Sequence, residues 1–150
     1  PDHGFIGCEP FLNGMAQALT HIDREHLANV RLWMGDALDP LSRVPDAGLL
    51  MVYLLHPDPW PKARHHRRRF VTPGYLALLA RVLKPGAEFR VATDIPDYVR
   101  QTLEEVPPAG FDLISQTGQG QAWEDWISTR YEQKALREGR PPHYLTYRRT

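Results

Sequence analysis

The chain has 150 residues, 42% of them hydrophobic, with eighteen Lys plus Arg against eighteen Asp plus Glu and a single cysteine. That is one domain's worth of chain with enough apolar side chains for a core, which excludes a disordered segment; the balanced charge excludes a global field drawing it to nucleic acid, so any such affinity must come from local clustering. The lone Cys8 excludes an internal disulfide and a multi-cysteine zinc site, and is expected as a small buried residue in a reducing cytoplasm. No window approaches the roughly 18 apolar residues of a membrane span, and residues 1–20 lack a signal peptide's basic start and continuous apolar region.

Phe5 to Cys8 reads as a short buried strand ending at Glu9, and Pro10 suits the first turn of a helix with Phe11, Met15, Ala18, Leu19 and Ile22 on one face. Val30 to Met34 alternates as a strand and ends in Gly35-Asp36-Ala37. Gly48 to Leu55 is apolar throughout, as expected of a strand covered on both faces. Thr72 and Pro73 predict a helix start, Tyr75, Leu76, Leu79, Val82 and Leu83 its buried stripe, and Lys84-Pro85-Gly86 its stop. Glu88 to Ala92 is the next strand, leading to Thr93-Asp94, and Ile95 to Val106 a helix closed by Pro107-Pro108. Phe111 to Ser115 predicts a strand, Trp126 to Glu138 a helix, and His143 to Arg149 a last alternating strand. Strand-helix alternation of this kind argues a parallel α/β sheet in a single domain over residues 1–150.

Successive strands end in Glu9, Asp36, Asp58 and Asp94. Acids cap helices and end strands without any function, but all of them in register would line one edge of a parallel sheet, where ligands bind in open α/β folds. The densest chemistry lies in Pro57-Asp58-Pro59-Trp60-Pro61-Lys62-Ala63-Arg64-His65-His66-Arg67-Arg68-Arg69. Its prolines stiffen the backbone and fix where Asp58 and Trp60 point. A charged run alone is most often a solvated surface, yet a turn requires neither a large aromatic nor so many basic and imidazole side chains. A preorganised carboxylate beside a basic loop suits a site acting on a polyanion.

At these residues the chain resembles the bacterial tRNA (guanine-N7)-methyltransferases. The resemblance runs from Phe5 to the C-terminus. Its most specific elements are Pro57 to Lys62 with the following His-His-Arg-Arg, Ala92-Thr93-Asp94, and Thr129-Arg130-Tyr131-Glu132 with Lys134. His56 departs from the pattern, standing where the family more often has an apolar residue. The resemblance implies a Rossmann-like class I S-adenosylmethionine-dependent methyltransferase with a doubly wound, mostly parallel sheet. It also implies truncation at the N-terminus, because the family's glycine-rich first strand and loop would lie upstream of residue 1. On that expectation residues 5–8 pair directly with 49–55, or a strand comes from another copy in a homodimer.

What the resemblance implies for the site is carried position by position. Glu9 would accept hydrogen bonds from the ribose hydroxyls of S-adenosylmethionine and Asp36 would meet its adenine, while Asp58 would sit between methyl donor and base as the catalytic residue. Lys62, Asp94, Thr129, Arg130, Tyr131 and Glu132 match guanosine-binding positions, and Arg64, His65, His66, Arg67, Arg68 and Arg69 would follow the RNA backbone. The implied partner is tRNA in the cytoplasm, with neither a membrane nor a metal.

Guanine N7 carries an in-plane lone pair and no proton, so Asp58 reads as an orienting and electrostatic residue. Asp94 or Glu132 would accept hydrogen bonds from guanine N1–H and its 2-amino group, a pattern adenine cannot supply. Trp60 is a base-stacking residue or a buried loop anchor. Two other readings stand beside this one. An amino-group methyltransferase of adenine or cytosine usually shows two consecutive prolines where this chain has Asp58-Pro59-Trp60-Pro61. A non-catalytic RNA-binding remnant would keep the basic loop without a cofactor site.

Overall fold

Two short segments, Phe5–Cys8 (β1) and Val30–Trp33 (β2), pair in parallel with Phe5 opposite Val30 and Cys8 opposite Trp33. The Glu9 amide continues the ladder, donating to the Trp33 carbonyl at 3.1 Å. The computed structural model describes residues 2–150, which group into two units, one ending at Arg43 and the other running from Val44 to Thr150.

In the first unit β1 and β2 are joined by α1 (Leu12–Arg24), and α2 (Leu38–Arg43) follows β2. Pro10 lies ahead of α1 rather than in its first turn, with Phe11 as the N-cap residue. Only Met15 of the expected apolar stripe is buried, Ala18 and Ile22 are half-buried, and Phe11 and Leu19 are exposed. The two-stranded sheet accounts for this, since strands lie about 4.8 Å apart whereas a helix with its side chains is about 10 Å across. Cys8 is exposed, not buried as expected.

The second unit holds a four-stranded sheet in the order β3-β4-β6-β5, built from Leu49–Leu55 (β3), Leu83–Thr93 (β4), Phe111–Thr117 (β5) and His143–Arg149 (β6). β3 and β4 are parallel, and β6 enters between β4 and β5, antiparallel to both. The expected parallel sheet is therefore mostly parallel, with the last strand reversed. Ladders join β1 to β2 alone and β3 to β4 alone, so the expected pairing of residues 5–8 with 49–55 is not formed among the described residues.

Helices α3 (Pro73–Val82), α4 (Pro96–Glu105) and α5 (Arg130–Arg137) complete this unit. Pro73 and Pro96 open their helices, where a fixed φ is helical and the missing N–H is not needed. Thr72 makes no side-chain cap, contrary to expectation. Leu76, Leu79 and Val82 of α3, Phe89 and Val91 of β4, Tyr98 of α4 and Tyr147 of β6 are fully buried. Each such side chain contributes roughly 1.5–3 kcal/mol of burial free energy. Phe89 is the hub, its ring 6.2 Å from Tyr147 and 6.0 Å from Phe111.

Lys84-Pro85-Gly86 does not stop the chain between elements. It forms an irregularity inside β4, where the partner of β3 jumps from Leu83 to Glu88, and Gly86 takes φ +80°. β3 was expected to be covered on both faces, but Leu50, Met51, Tyr53 and Leu55 are exposed. β3 is the edge of its sheet, which leaves less of it covered than a central strand. The helix expected from Trp126 begins only at Arg130, because Thr129 is extended and its hydroxyl accepts from the Glu132 amide at 3.1 Å. No helix among the described residues is long and apolar enough to cross a membrane.

Candidate active site

The four strand-end acids are placed as two pairs. In the first unit Glu9 and Asp36 follow the neighbouring parallel strands β1 and β2. Glu9 turns back over the start of α1, its Oε1 accepting the Phe11 amide at 2.9 Å. Gly14 makes room for it, since a Cβ there would lie 3.0 Å from the Glu9 carboxylate. Oε2 of Glu9 has no hydrogen bond to a described residue. Asp36 accepts the Leu38 amide at 2.8 Å. The Cys8 thiol is pushed up, first by desolvation and then by the Asp36 charge.

In the second unit β3 and β4 deliver Asp58 and Asp94. The His56 amide donates to the Ala92 carbonyl at 2.7 Å, adding one rung beyond β3, and φ of +45° at His56 turns the chain off the sheet. The His56 side chain is 4% exposed, with Nδ1 3.3 Å from Asp94 Oδ1. Asp94 Oδ2 accepts from Arg140 Nε at 2.6 Å, and Arg140 also pairs with Glu138. Desolvation pushes the Asp94 carboxyl up, but the hydrogen bonds from Arg140 and His56 outweigh it and hold the carboxyl below its ordinary range. Asp58 is exposed and has no hydrogen bond or ion pair with a described residue.

The basic run is a 3₁₀ turn, Ala63–Arg68, and its side chains divide by role. Lys62, Arg64 and Arg67 are exposed. Arg68, also exposed, lies over the Trp60 ring at 4.9 Å, and His65 meets that ring edge-on at 5.9 Å. Trp60 is thereby a half-buried loop anchor, the second of its two expected roles. His66 faces Asp97 at 3.7 Å. Arg69 corrects its expected place on the RNA backbone: it is 1% exposed, donates to the Pro59 carbonyl at 2.7 Å and to Gln101 at 2.6 Å, and pairs with Asp97 at 2.9 Å. It ties the Pro59-Trp60 turn to α4.

Thr129 to Glu132 proves to be a helix start. Thr129 caps α5, and Glu132, 2% exposed, accepts from Trp126 Nε1 at 2.9 Å and from the Tyr144 hydroxyl. Both its oxygens and both oxygens of Asp94 are committed within the fold. Arg130 and Tyr131 are exposed.

An aromatic cluster unmarked in the sequence surrounds Glu132. The Trp123 ring lies 5.3 Å from Trp126, 5.3 Å from Tyr144 and 5.8 Å from Tyr53, and Arg90 sits over Trp123 at 5.4 Å. Beside it opens a cleft of about 300 Å³ walled by Tyr53 and Leu55 of β3 with Arg90, Trp123, Asp125 and Trp126. A second, wider cleft of about 530 Å³ lies beyond Trp123 toward Glu124, Glu132 and Tyr144. The smaller one adjoins the end of β3, from which Asp58 emerges.

A family model described as "Putative methyltransferase" matches residues 1–145. A tRNA (guanine-N(7)-)-methyltransferase of Paracoccus denitrificans is 66% identical over 149 residues, covering 99% of this chain and 63% of that protein. Its counterpart in Cereibacter sphaeroides is 64% identical, covering 99% and 61%. This chain thus spans less than two thirds of the length of these relatives. Among solved structures, a precorrin-6y C5,15-methyltransferase of Geobacter metallireducens superposes with a TM-score of 0.61 at 11% identity, over 97% of this chain and 68% of that one. That likeness shows a class I methyltransferase fold. The chain belongs to this methyltransferase family, and the curated relatives it resembles are named tRNA (guanine-N(7)-)-methyltransferases.

Proposed function

We propose that the protein transfers a methyl group from S-adenosylmethionine to N7 of a guanosine in the variable loop of tRNA, with both units parts of one cytoplasmic methyltransferase. The observation that carries this reading is Asp58. It is an unpaired, exposed carboxylate leaving the end of β3, between an aromatic-walled cleft and an outward-facing cationic turn.

S-adenosylmethionine, when bound, supplies an electrophilic methyl on a sulfonium centre. The residues present fit such a ligand in type: the open Oε2 of Glu9 suits ribose hydroxyls, and Asp36 follows the adjacent strand, where it would meet adenine. Transfer of that methyl to the guanine N7 lone pair would leave the sulfur neutral and the purine cationic, and would require no proton to be removed by a residue of this chain. Asp58 acts electrostatically, its carboxylate favouring the purine cation as it forms.

Arg64, Arg67 and Arg68 contact phosphates, with the half-buried His65 alongside them, and Lys62 meets the guanosine; the exposure of these four cations supports this. Asp94 supports guanosine binding as a carboxylate fixed by His56 and Arg140, and Arg130 and Tyr131 face the substrate from the start of α5. Thr129 and Glu132 hold that helix start in place. The test is methylation of unmodified tRNA with radiolabelled S-adenosylmethionine, mapped by cleavage at 7-methylguanosine. Label at one variable-loop guanosine is expected. Label on exocyclic amino groups would favour the amino-group reading, and tRNA binding without any transfer would favour an RNA-binding remnant.

A further inference from the structure

Guanine presents N1–H and a 2-amino group side by side, and a single carboxylate can accept from both. Asp94 and Glu132 each accept hydrogen bonds at both oxygens from internal donors, Asp94 from His56 and Arg140, Glu132 from Trp126 and Tyr144, and neither lines the 300 Å³ cleft. Asp125 differs. It is exposed, it lines the 300 Å³ cleft, and it has no hydrogen bond or ion pair with a described residue.

Its backbone is held from both sides. The Trp126 amide donates to the Trp123 carbonyl at 2.9 Å, so Glu124 and Asp125 are the two central residues of a tight turn. Each flanking indole is tied down, Trp123 Nε1 to the Thr146 hydroxyl at 2.8 Å and Trp126 Nε1 to Glu132 at 2.9 Å. The held turn thus offers an open carboxylate beside aromatic walls, the combination base recognition requires: a flat apolar surface to stack on and an acceptor pair at its edge. Tyr53 and Leu55 on the facing wall belong to the strand that ends three residues before Asp58, an extended reach of at most roughly 10 Å. A purine seated here therefore lies within reach of the proposed catalytic carboxylate.

We propose that Asp125 reads the Watson–Crick edge of the target guanine and sets base specificity, an inference that rests on the guanine-methylating function above. Glu124, the other tip residue, lines the wider cleft and takes no part.

The experiment compares tRNA carrying guanosine with tRNA carrying inosine at the target position; inosine keeps N1–H and N7 but lacks the 2-amino group. For the wild type, inosine should lower kcat/KM by about 10-fold or more, the effect of one lost charge-assisted hydrogen bond. In Asp125→Asn that penalty should shrink to about threefold or less, while Glu124→Gln keeps it in full. Thermal midpoint and S-adenosylmethionine affinity should be unchanged in both variants. An Asp125→Asn protein that discriminates inosine as the wild type does, or a wild type indifferent to inosine, overturns the role of Asp125 and leaves the proposed function standing. A wild type that methylates no guanosine N7 removes the function and this inference with it.

Discussion

Arg69 and Asp97 form an ion pair at 2.9 Å in which the guanidinium is 1% exposed while the carboxylate stays open to solvent. The last arginine of a basic run is thus a structural strut between the Pro59-Trp60 turn and α4, while its neighbours face outward.

Replacing Arg69 by Ala should cost about 2–3 kcal/mol of stability, because its hydrogen bonds to the Pro59 carbonyl, Gln101 and Asp97 are lost together and a cavity remains. Arg67→Ala, at an exposed site, should fall within about 0.5 kcal/mol of the wild type. Chemical denaturation of the two variants checks the contrast; equal midpoints would return Arg69 to the surface.

The outward cations should govern the salt dependence of tRNA binding. Neutralising Arg64, Arg67 and Arg68 together should flatten the slope of log affinity against log salt by about 0.7–0.9 for each phosphate that is no longer paired with a cation. S-adenosylmethionine affinity should not change. Binding isotherms over a range of salt concentrations decide it, and an unaltered slope would make the turn an ordinary solvated surface.

The Asp94 carboxyl is held below its ordinary value of 3.8 by Arg140 and His56, against the opposing effect of burial. A carboxylate whose pKa is depressed by folding contributes stability that is present above its unfolded pKa and disappears as pH falls through the folded value. Arg140→Gln should lower stability at neutral and alkaline pH and leave it nearly unchanged below the folded pKa of Asp94, so that the loss of stability on acidification becomes smaller. Chemical denaturation followed by circular dichroism at a series of pH values measures both.

Tyr98 behaves in the opposite range. Desolvation, the largest cause, raises its hydroxyl from 10 to about 12, with the Asp58 charge acting in the same direction. Below pH 10 folded and unfolded chains both keep the proton; between pH 10 and about 12 the unfolded chain loses it first, so stability declines as pH rises. Tyr98→Phe should flatten that alkaline decline. Tyr147, also raised by desolvation, should retain part of it.

Much of the second unit is written in local pattern: the apolar run of β3, the Pro73 and Pro96 helix starts, and acids directly after strands are all legible from a few residues at a time. Asp58 at a strand end beside a stiff turn is legible for the same reason. The aromatic cleft is not, because Tyr53, Trp123, Trp126 and Tyr144 meet only when β6 reverses and enters between β4 and β5, a long-range event that leaves no period in the sequence. The burial of Arg69 is hidden similarly: nothing in a run of basic residues tells which one has Asp97 and Gln101 waiting on a helix some thirty residues later. Thr129 and Glu132 carry the Thr-x-x-Glu spacing of a helix cap, which marks a structural role as readily as a binding one.

The most direct measurement is single-turnover methyl transfer to tRNA by Asp58→Asn beside the wild type, with tRNA affinity determined in parallel. A fall of about 10²–10³ in rate at unchanged affinity is expected of a carboxylate that stabilises the developing purine cation. Near wild-type turnover in Asp58→Asn would contradict the assignment of the site.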